Sequence, residues 1–170
     1  MAGDAKLPRM IRYARSADHP AIADIVAQAF GQPDEARLVE RLRANGDVVF
    51  ELVSEADGAL DGHILFSRLW ADRAEMFAAL APLAVRPDRQ RGGVGAALVR
   101  AGLESAREFG AHGVLVLGDP AYYPRFGFAP ETAAQVRAPF SGLAAFMAVA
   151  LEPGAFDLPL SVVYPEAFSG

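Results

Sequence analysis

The spacing of apolar residues in the first part of the chain predicts one strand followed by two helices. Residues 10–15 alternate between apolar and polar side chains, as in a strand with one buried face. The next apolar residues recur at helical spacing and form one face: Ile22, Ile25, Val26, Ala29 and Phe30. Gly31 is placed to end this helix, and a second helix is expected from Pro33 to Asn45.

Three antiparallel strands are expected next, over residues 48–53, 60–69 and 75–85. Asp57 and Gly58 form the first hairpin turn between them. Pro82 lies inside the third strand and cannot donate a backbone hydrogen bond. We therefore expect this strand to part from a neighbour at Pro82, which would leave a slot for a long, thin ligand.

A basic turn over residues 86–91 then leads through a glycine-rich elbow into a helix that ends near Phe109. The helix is expected to bury one face and to pack closely on the sheet at Gly102. Its predicted buried residues are Val94, Ala97, Leu98, Ala101, Ser105 and Phe109. The apolar run 113–118 predicts a buried parallel strand, and further strands are expected at 135–138, 145–151 and 160–164.

The glycine-rich elbow has the chemistry of a phosphate site. Gly92, Gly93 and Gly95 allow positive φ and close approach of a ligand to the backbone. The first N–H groups of the following helix lack partners and lie at the positive end of its dipole. Arg89 and Arg91 add positive charge beside them. The elbow therefore predicts a site for a phosphate or pyrophosphate.

Composition narrows the class of protein. The 170 residues fit one domain, here taken as 1–170, with 52% hydrophobic residues and a net charge of −5. We expect no nucleic acid partner, because binders of nucleic acid are usually basic. No apolar run is long enough to cross a membrane, and no leader's apolar stretch occurs at the N-terminus, so a cytoplasmic location is expected. Without cysteine, and with the three histidines far apart, no metal site is predicted.

Two motifs carry a resemblance to a known family. Gln90-x-x-Gly93-x-Gly95 follows a strand and opens a helix, and Tyr122-Tyr123-Pro124-Arg125-Phe126-Gly127-Phe128 follows the next strand. In this order they resemble the GNAT superfamily of N-acetyltransferases. Leu83-Ala84-Val85 and Gly118-Asp119-Pro120 are similar to its YhbS-like bacterial branch. The resemblance implies an α/β (α+β) fold: a mixed, mostly antiparallel sheet of about seven strands, helices on both faces, and a splayed β4/β5 pair.

The resemblance also implies a cosubstrate and a set of site residues. Acetyl-coenzyme A (acetyl-CoA) would donate its acetyl group to the amine of a small molecule or peptide by direct attack. Leu83, Ala84 and Val85 would bind its pantetheine arm through their backbone. The pyrophosphate would lie on the loop and the first helical turn: Gln90, Arg91, Gly92, Gly93, Val94, Gly95 and Ala96. Tyr123 matches the tyrosine that protonates the leaving thiolate, and Tyr122 is interpreted as its packing partner.

Several alternatives stay open at this point. The general base could be Glu35, Glu75, Asp119 or water. The acceptor pocket is expected from residues 30–35, 66–70 and 140–146, without an indication of which amine binds. A homodimer is common in the family. A non-catalytic domain that binds or senses acyl-CoA is the alternative function. A dinucleotide-dependent oxidoreductase is disfavoured, because Leu98 occupies the third glycine position of that fingerprint.

Overall fold

Eight strands and three α-helices make up the computed structural model, which describes residues 8–170. The elements are β1 (Met10–Tyr13), α1 (His19–Phe30), α2 (Asp34–Ala44), β2 (Val48–Ala56), β3 (Ala59–Ala71), β4 (Met76–Val85), α3 (Val94–Glu108), β5 (Ala111–Leu117), β6 (Val136–Arg137), β7 (Phe146–Ala150) and β8 (Leu160–Val163). Residues 1–7, where the sequence analysis expects no leader, lie outside the described residues. Every predicted element is present, and the prediction of about seven strands is one too low.

The strands form one mixed sheet in the order β1-β2-β3-β4-β5-β7. All neighbours along this path are antiparallel except β4 and β5, which run parallel. The short strand β8 joins the end of β3 and also pairs with β6. The expected mixed, mostly antiparallel α/β (α+β) sheet is confirmed.

Helices cover both faces of the sheet, as expected. The pair α1 and α2 covers one face, where Ile22 packs with Val53 and Leu42 packs with Leu65. The opposite face is covered by α3. No helix in residues 8–170 is long and apolar enough to cross a membrane.

The face of α3 that meets the sheet differs from the prediction. Its buried residues are Val94, Leu98, Val99, Gly102 and Ala106. Of the other residues predicted for this face, Ala97, Ala101 and Ser105 are half-buried and Phe109 is 49% exposed. The close approach at Gly102 is confirmed, because a Cβ there would lie 2.5 Å from Cε2 of Phe66.

The strands β4 and β5 separate where Pro82 predicts that they should. Their pairing ends at Leu80 opposite Val116. On the other side of β4, the register with β3 shifts between Leu80 and Leu83, so that β4 holds an extra residue at this point. The expected splay is confirmed, and it opens along residues 81–85.

A charged group lies buried between α2 and the sheet, and the sequence analysis did not identify it. The Glu51 carboxylate accepts hydrogen bonds from Nε and Nη2 of Arg43 at 2.9 and 2.8 Å, and lies 2.8 Å from Nε2 of His63. Burial alone would raise the pKa of Glu51, but the hydrogen bonds from His63 and Arg43 outweigh it and lower the pKa to about 2. Burial lowers the pKa of His63. The group ties α2 to strands β2 and β3.

Candidate active site

A cleft of about 530 Å³ lies between the splayed end of β4 and the start of α3. Its walls come from the end of α1, the end of β4, the glycine-rich loop and the tyrosine segment after β5. Seven of the residues predicted for the site line it: Leu83, Val85, Gln90, Arg91, Gly93, Gly95 and Ala96. Ala84, Gly92, Val94 and Tyr123 are not among its lining residues, although each of them adjoins a residue that is.

The glycine-rich loop turns the chain from β4 into α3 through left-handed backbone. Pro87–Arg89 form a short 3-10 turn. Arg91 has φ +66° and Gly93 has φ +88°. The first helical hydrogen bond runs from the N–H of Ala97 to the oxygen of Gly93 at 3.0 Å. The N–H groups of the three residues between them therefore have no partner within the helix and lie at its positive end.

The charges around the loop favour an anion. The Arg86 guanidinium is paired with Asp88 at 2.7 Å, and Arg89 lies 3.9 Å from the Asp57 carboxylate. Arg91 makes no ion pair with another of residues 8–170. An unpaired guanidinium beside a helix N-terminus is suited to a pyrophosphate.

The end of β4 presents one free edge to the cleft. Leu83, Ala84 and Val85 pair with β3 on one side. Among residues 8–170 no strand pairs with their other side, because β5 has already separated. Nε2 of Gln90 donates a hydrogen bond to the oxygen of Val85 at 3.2 Å, which ties the loop back to the strand. The free edge can accept an extended, amide-containing ligand in place of a strand.

The two tyrosines after β5 occupy different environments. Tyr123 is 9% exposed, with its ring against Gly118 and in edge contact with Phe128. Burial, together with the nearby Tyr122 and Asp119, raises the pKa of Tyr123 to about 12. Tyr122 lines the cleft. Its interpretation as a packing partner is therefore incomplete, because its hydroxyl faces the start of α3, 2.9 Å from where a Cβ of Gly95 would lie.

Three cleft residues escaped the sequence analysis as site residues: Ala29, Tyr122 and Arg125. Two of them stand inside the aromatic motif itself, so their position beside Tyr123 was a signal that could have identified them. Ala29 was assigned to the apolar face of α1, and it is half-buried beside the cleft. An alanine on an apolar helix face gives no comparable signal in the sequence.

None of the three candidate bases lines the cleft. Glu75 precedes β4 at the end opposite the loop, about 30 Å away at the usual rise of a strand. The Asp119 carboxylate accepts a hydrogen bond from the N–H of Ala121 at 2.8 Å and shapes the turn before the tyrosines. Glu35 accepts a hydrogen bond from Gln32 at 3.1 Å and borders a separate cavity of about 190 Å³. These contacts give Asp119 and Glu35 structural roles.

The predicted acceptor segments are only partly brought to the cleft. Phe30 lines it, whereas Phe66 is fully buried beneath Gly102. Trp70 is 46% exposed and lies under the Arg68 guanidinium at 5.2 Å, where β3 pairs with β8. Within residues 8–170 no group of three or more histidine or acidic side chains is arranged to hold a metal ion.

The chain matches the model of a protein family. Residues 19–128 match the model of the acetyltransferase (GNAT) family. This range runs from the start of α1 to the last residue of the aromatic motif, and it includes the whole cleft.

Two curated relatives from Escherichia coli K12 are similar over most of the chain. The uncharacterized N-acetyltransferase YjhQ is 40% identical over 66% of this chain and 65% of its own length, which is just under two thirds. The uncharacterized N-acetyltransferase YhbS is 37% identical over 70% of this chain and 72% of its own length.

Two solved structures share the fold across nearly the full chain. The crystal structure of E. coli YhbS in complex with CoA has a TM-score of 0.89 and 33% identity, and covers 100% of this chain and 97% of that one. A GNAT family acetyltransferase from Brucella melitensis in complex with acetyl-CoA has a TM-score of 0.78 and 35% identity, over 95% and 98% of the two chains.

Proposed function

The chain belongs to the GNAT acetyltransferase family, and we propose that it transfers an acetyl group from acetyl-CoA to a primary amine of a small molecule or peptide. The observation that carries the proposal is the free edge of β4 beside a glycine-rich helix start, in one cleft of about 530 Å³. The likeness to the CoA complex of YhbS, with a TM-score of 0.89, supports it. One domain spanning 1–170 is part of the proposal.

The donor is proposed to lie along the cleft. Its pyrophosphate binds the backbone N–H groups from Arg91 to Ala96, where unpaired donors and the helix dipole favour an anion. Its pantetheine arm extends along Leu83, Ala84 and Val85, whose backbone is open on that side. This places the thioester toward Pro82, where β4 and β5 part. A backbone N–H of the adjoining residues 83–85 would stabilise the oxyanion.

The proposed reaction is a direct attack. The neutral amine nitrogen forms a bond to the thioester carbonyl carbon, and the carbon–sulfur bond of the tetrahedral intermediate breaks. Tyr123 donates its phenolic proton to the leaving thiolate, and water takes the proton lost by the amine. Because its pKa is about 12, Tyr123 is protonated again before each turnover. Water is the proposed base because none of Glu35, Glu75 and Asp119 lines the cleft.

A domain that only binds acyl-CoA is the second candidate, because Tyr123 is not among the residues lining the cleft. The amine acceptor, the formation of a homodimer and the cytoplasmic location stay predictions.

The test measures CoA release with a panel of amines for the wild-type chain and for Tyr123→Phe. We expect turnover with at least one amine, a fall in kcat of about 10²-fold in the variant, and unchanged affinity for CoA. Binding of CoA without turnover on any amine would favour the binding domain. Equal loss of affinity and turnover would contradict the role given to Tyr123.

A further inference from the structure

The wall of the cleft that faces β4 is formed by Tyr122. Three neighbouring side chains contact its ring. The Arg125 guanidinium lies 4.4 Å above the ring centroid, and the rings of Tyr123 and Phe126 make edge contacts at 5.1 and 5.3 Å. Nε of Arg125 also donates a hydrogen bond to the backbone oxygen of Tyr122 at 2.8 Å. The ring is therefore fixed in place before any ligand arrives.

The hydroxyl of Tyr122 lies where the loop and the free edge of β4 come closest together. A Cβ placed on Gly95 would lie 2.9 Å from this hydroxyl, 3.6 Å from Val85 and 3.8 Å from Leu83. The absence of a side chain at Gly95 is what allows the hydroxyl to stand there. The missing side chain at Gly95 thus makes room for the Tyr122 hydroxyl and also lets a ligand approach the backbone.

This hydroxyl makes no hydrogen bond with any other group of residues 8–170. Burial raises the pKa of Tyr122, so the hydroxyl remains protonated near neutral pH. Its oxygen is not among the buried polar atoms of residues 8–170 that lack a partner, so it is open to the cleft and can donate its proton to a ligand.

We propose that Tyr122 binds the pantetheine arm of the donor, by donating a hydrogen bond from its hydroxyl to an amide carbonyl of that arm. The inference rests on the proposed function. The position beside Leu83 and Val85 is the pantetheine section of the cleft, next to the pyrophosphate end at Gly93. Tyr122 would then bind the donor, and Tyr123 would protonate its thiolate.

The test compares Tyr122→Phe with wild type on two ligands, by calorimetry. CoA contains the pantetheine arm, whereas 3′,5′-ADP contains only the nucleotide part. We expect the Kd of CoA to rise about three- to tenfold, the usual effect of losing one neutral hydrogen bond. The Kd of 3′,5′-ADP stays the same, and kcat at saturating acetyl-CoA stays within about twofold. Tyr123→Phe is the matched control, with the opposite division between Kd and kcat.

A second measurement uses the contact with Gly95. Gly95→Ala places a methyl group against the Tyr122 hydroxyl in the wild-type background, and that oxygen is missing in Tyr122→Phe. We expect the two changes to be non-additive, with a smaller effect of Gly95→Ala on the Kd of CoA in the Tyr122→Phe background.

Three results would overturn the inference. One is an equal loss of affinity for CoA and 3′,5′-ADP in Tyr122→Phe, which would place the hydroxyl at the nucleotide. Another is a large fall in kcat with unchanged Kd, which would make Tyr122 the acid. The third is an unchanged Kd of CoA in Tyr122→Phe together with additive effects of Gly95→Ala and Tyr122→Phe. A wild-type chain that binds no CoA overturns the proposed function itself, and this inference with it.

Discussion

Replacing Gly93 by alanine separates the role of the loop in binding from its role in folding. Gly93 has φ +88°, and a Cβ built there would meet no other atom within 4 Å. The methyl group therefore adds conformational strain without a clash inside the protein. Gly110 offers a matched control at the other end of α3, with φ +92° and likewise no atom within 4 Å. The helix that separates the two glycines, α3, is about 22 Å long by the usual rise of 1.5 Å per residue.

Both variants should lose similar amounts of stability. A non-glycine residue in left-handed backbone costs about 1–2 kcal/mol, which for a chain of this size lowers Tm by about 2–4 °C per kcal/mol. Only Gly93→Ala should weaken the binding of CoA, because its methyl group occupies the cleft beside the unpaired N–H groups. Losing one charge-assisted hydrogen bond of about 1.5–3 kcal/mol raises Kd about 10- to 100-fold.

Calorimetric titration with CoA and thermal melting without ligand measure the two effects on the same samples. Equal affinities of wild type and folded Gly93→Ala would refute the assignment of the pyrophosphate to this loop. An equal loss of affinity in Gly110→Ala would show that strain in α3, rather than contact with the ligand, weakens binding.

Three further predictions concern the core and the acid. Acid should destabilise the chain as pH falls through about 6.5, because burial lowers the pKa of His63, and again from about 4 to 2, because Glu51 has a pKa of about 2 in the folded state. Glu51→Gln should reduce the lower step by at most about 3 kcal/mol, while Asp18, whose pKa is also about 2, keeps a remainder of it; a denaturation series against pH checks this, and an unchanged lower step would contradict it. Gly102→Leu should lower stability by several kcal/mol or prevent folding, because its Cβ alone would lie 2.5 Å from Phe66; a urea midpoint near that of wild type would refute close packing there. Turnover should rise with pH as the amine loses its proton and show no descending limb below about pH 10, since Tyr123 has a pKa of about 12; a descending limb near pH 9 in a rate profile would argue against it as the acid.

Signals that act over a few residues made much of the fold predictable from the sequence. Gly31 has φ +70° and ends α1 where expected, and the turn at Asp57 and Gly58 joins β2 to β3. Pro82 predicts the splay because a residue without an N–H cannot complete a strand ladder, whatever surrounds it. The glycine-rich loop was predictable for the same reason: positive φ at Gly93 is a local requirement.

Features that depend on contacts between distant residues were not predictable in the same way. Small apolar residues surround α3, so periodicity alone could not show that Val99 and Ala106 are fully buried while Ala97 is only half-buried. Tyr123 takes the buried position because Gly118 leaves room for its ring.

The buried ionic group had a signal in the sequence that the strand pattern obscured. Glu51 and His63 are polar residues within largely apolar strands, and the register places them as diagonal neighbours on β2 and β3. Their partner, Arg43, comes from α2, and that contact is set by packing of the helix on the sheet. No local sequence pattern predicts that these three residues come into contact.

The proposed function depends most directly on acetyl transfer from a donor bound in the cleft between β4 and α3. Its test is the rate of CoA release from acetyl-CoA by the purified chain, across a panel of small amines and peptides, with Tyr123→Phe as control. We expect saturable turnover with at least one amine and a fall in kcat of about 10²-fold in the variant. Tight CoA binding without turnover on any amine, or equal rates for the two proteins, would contradict it.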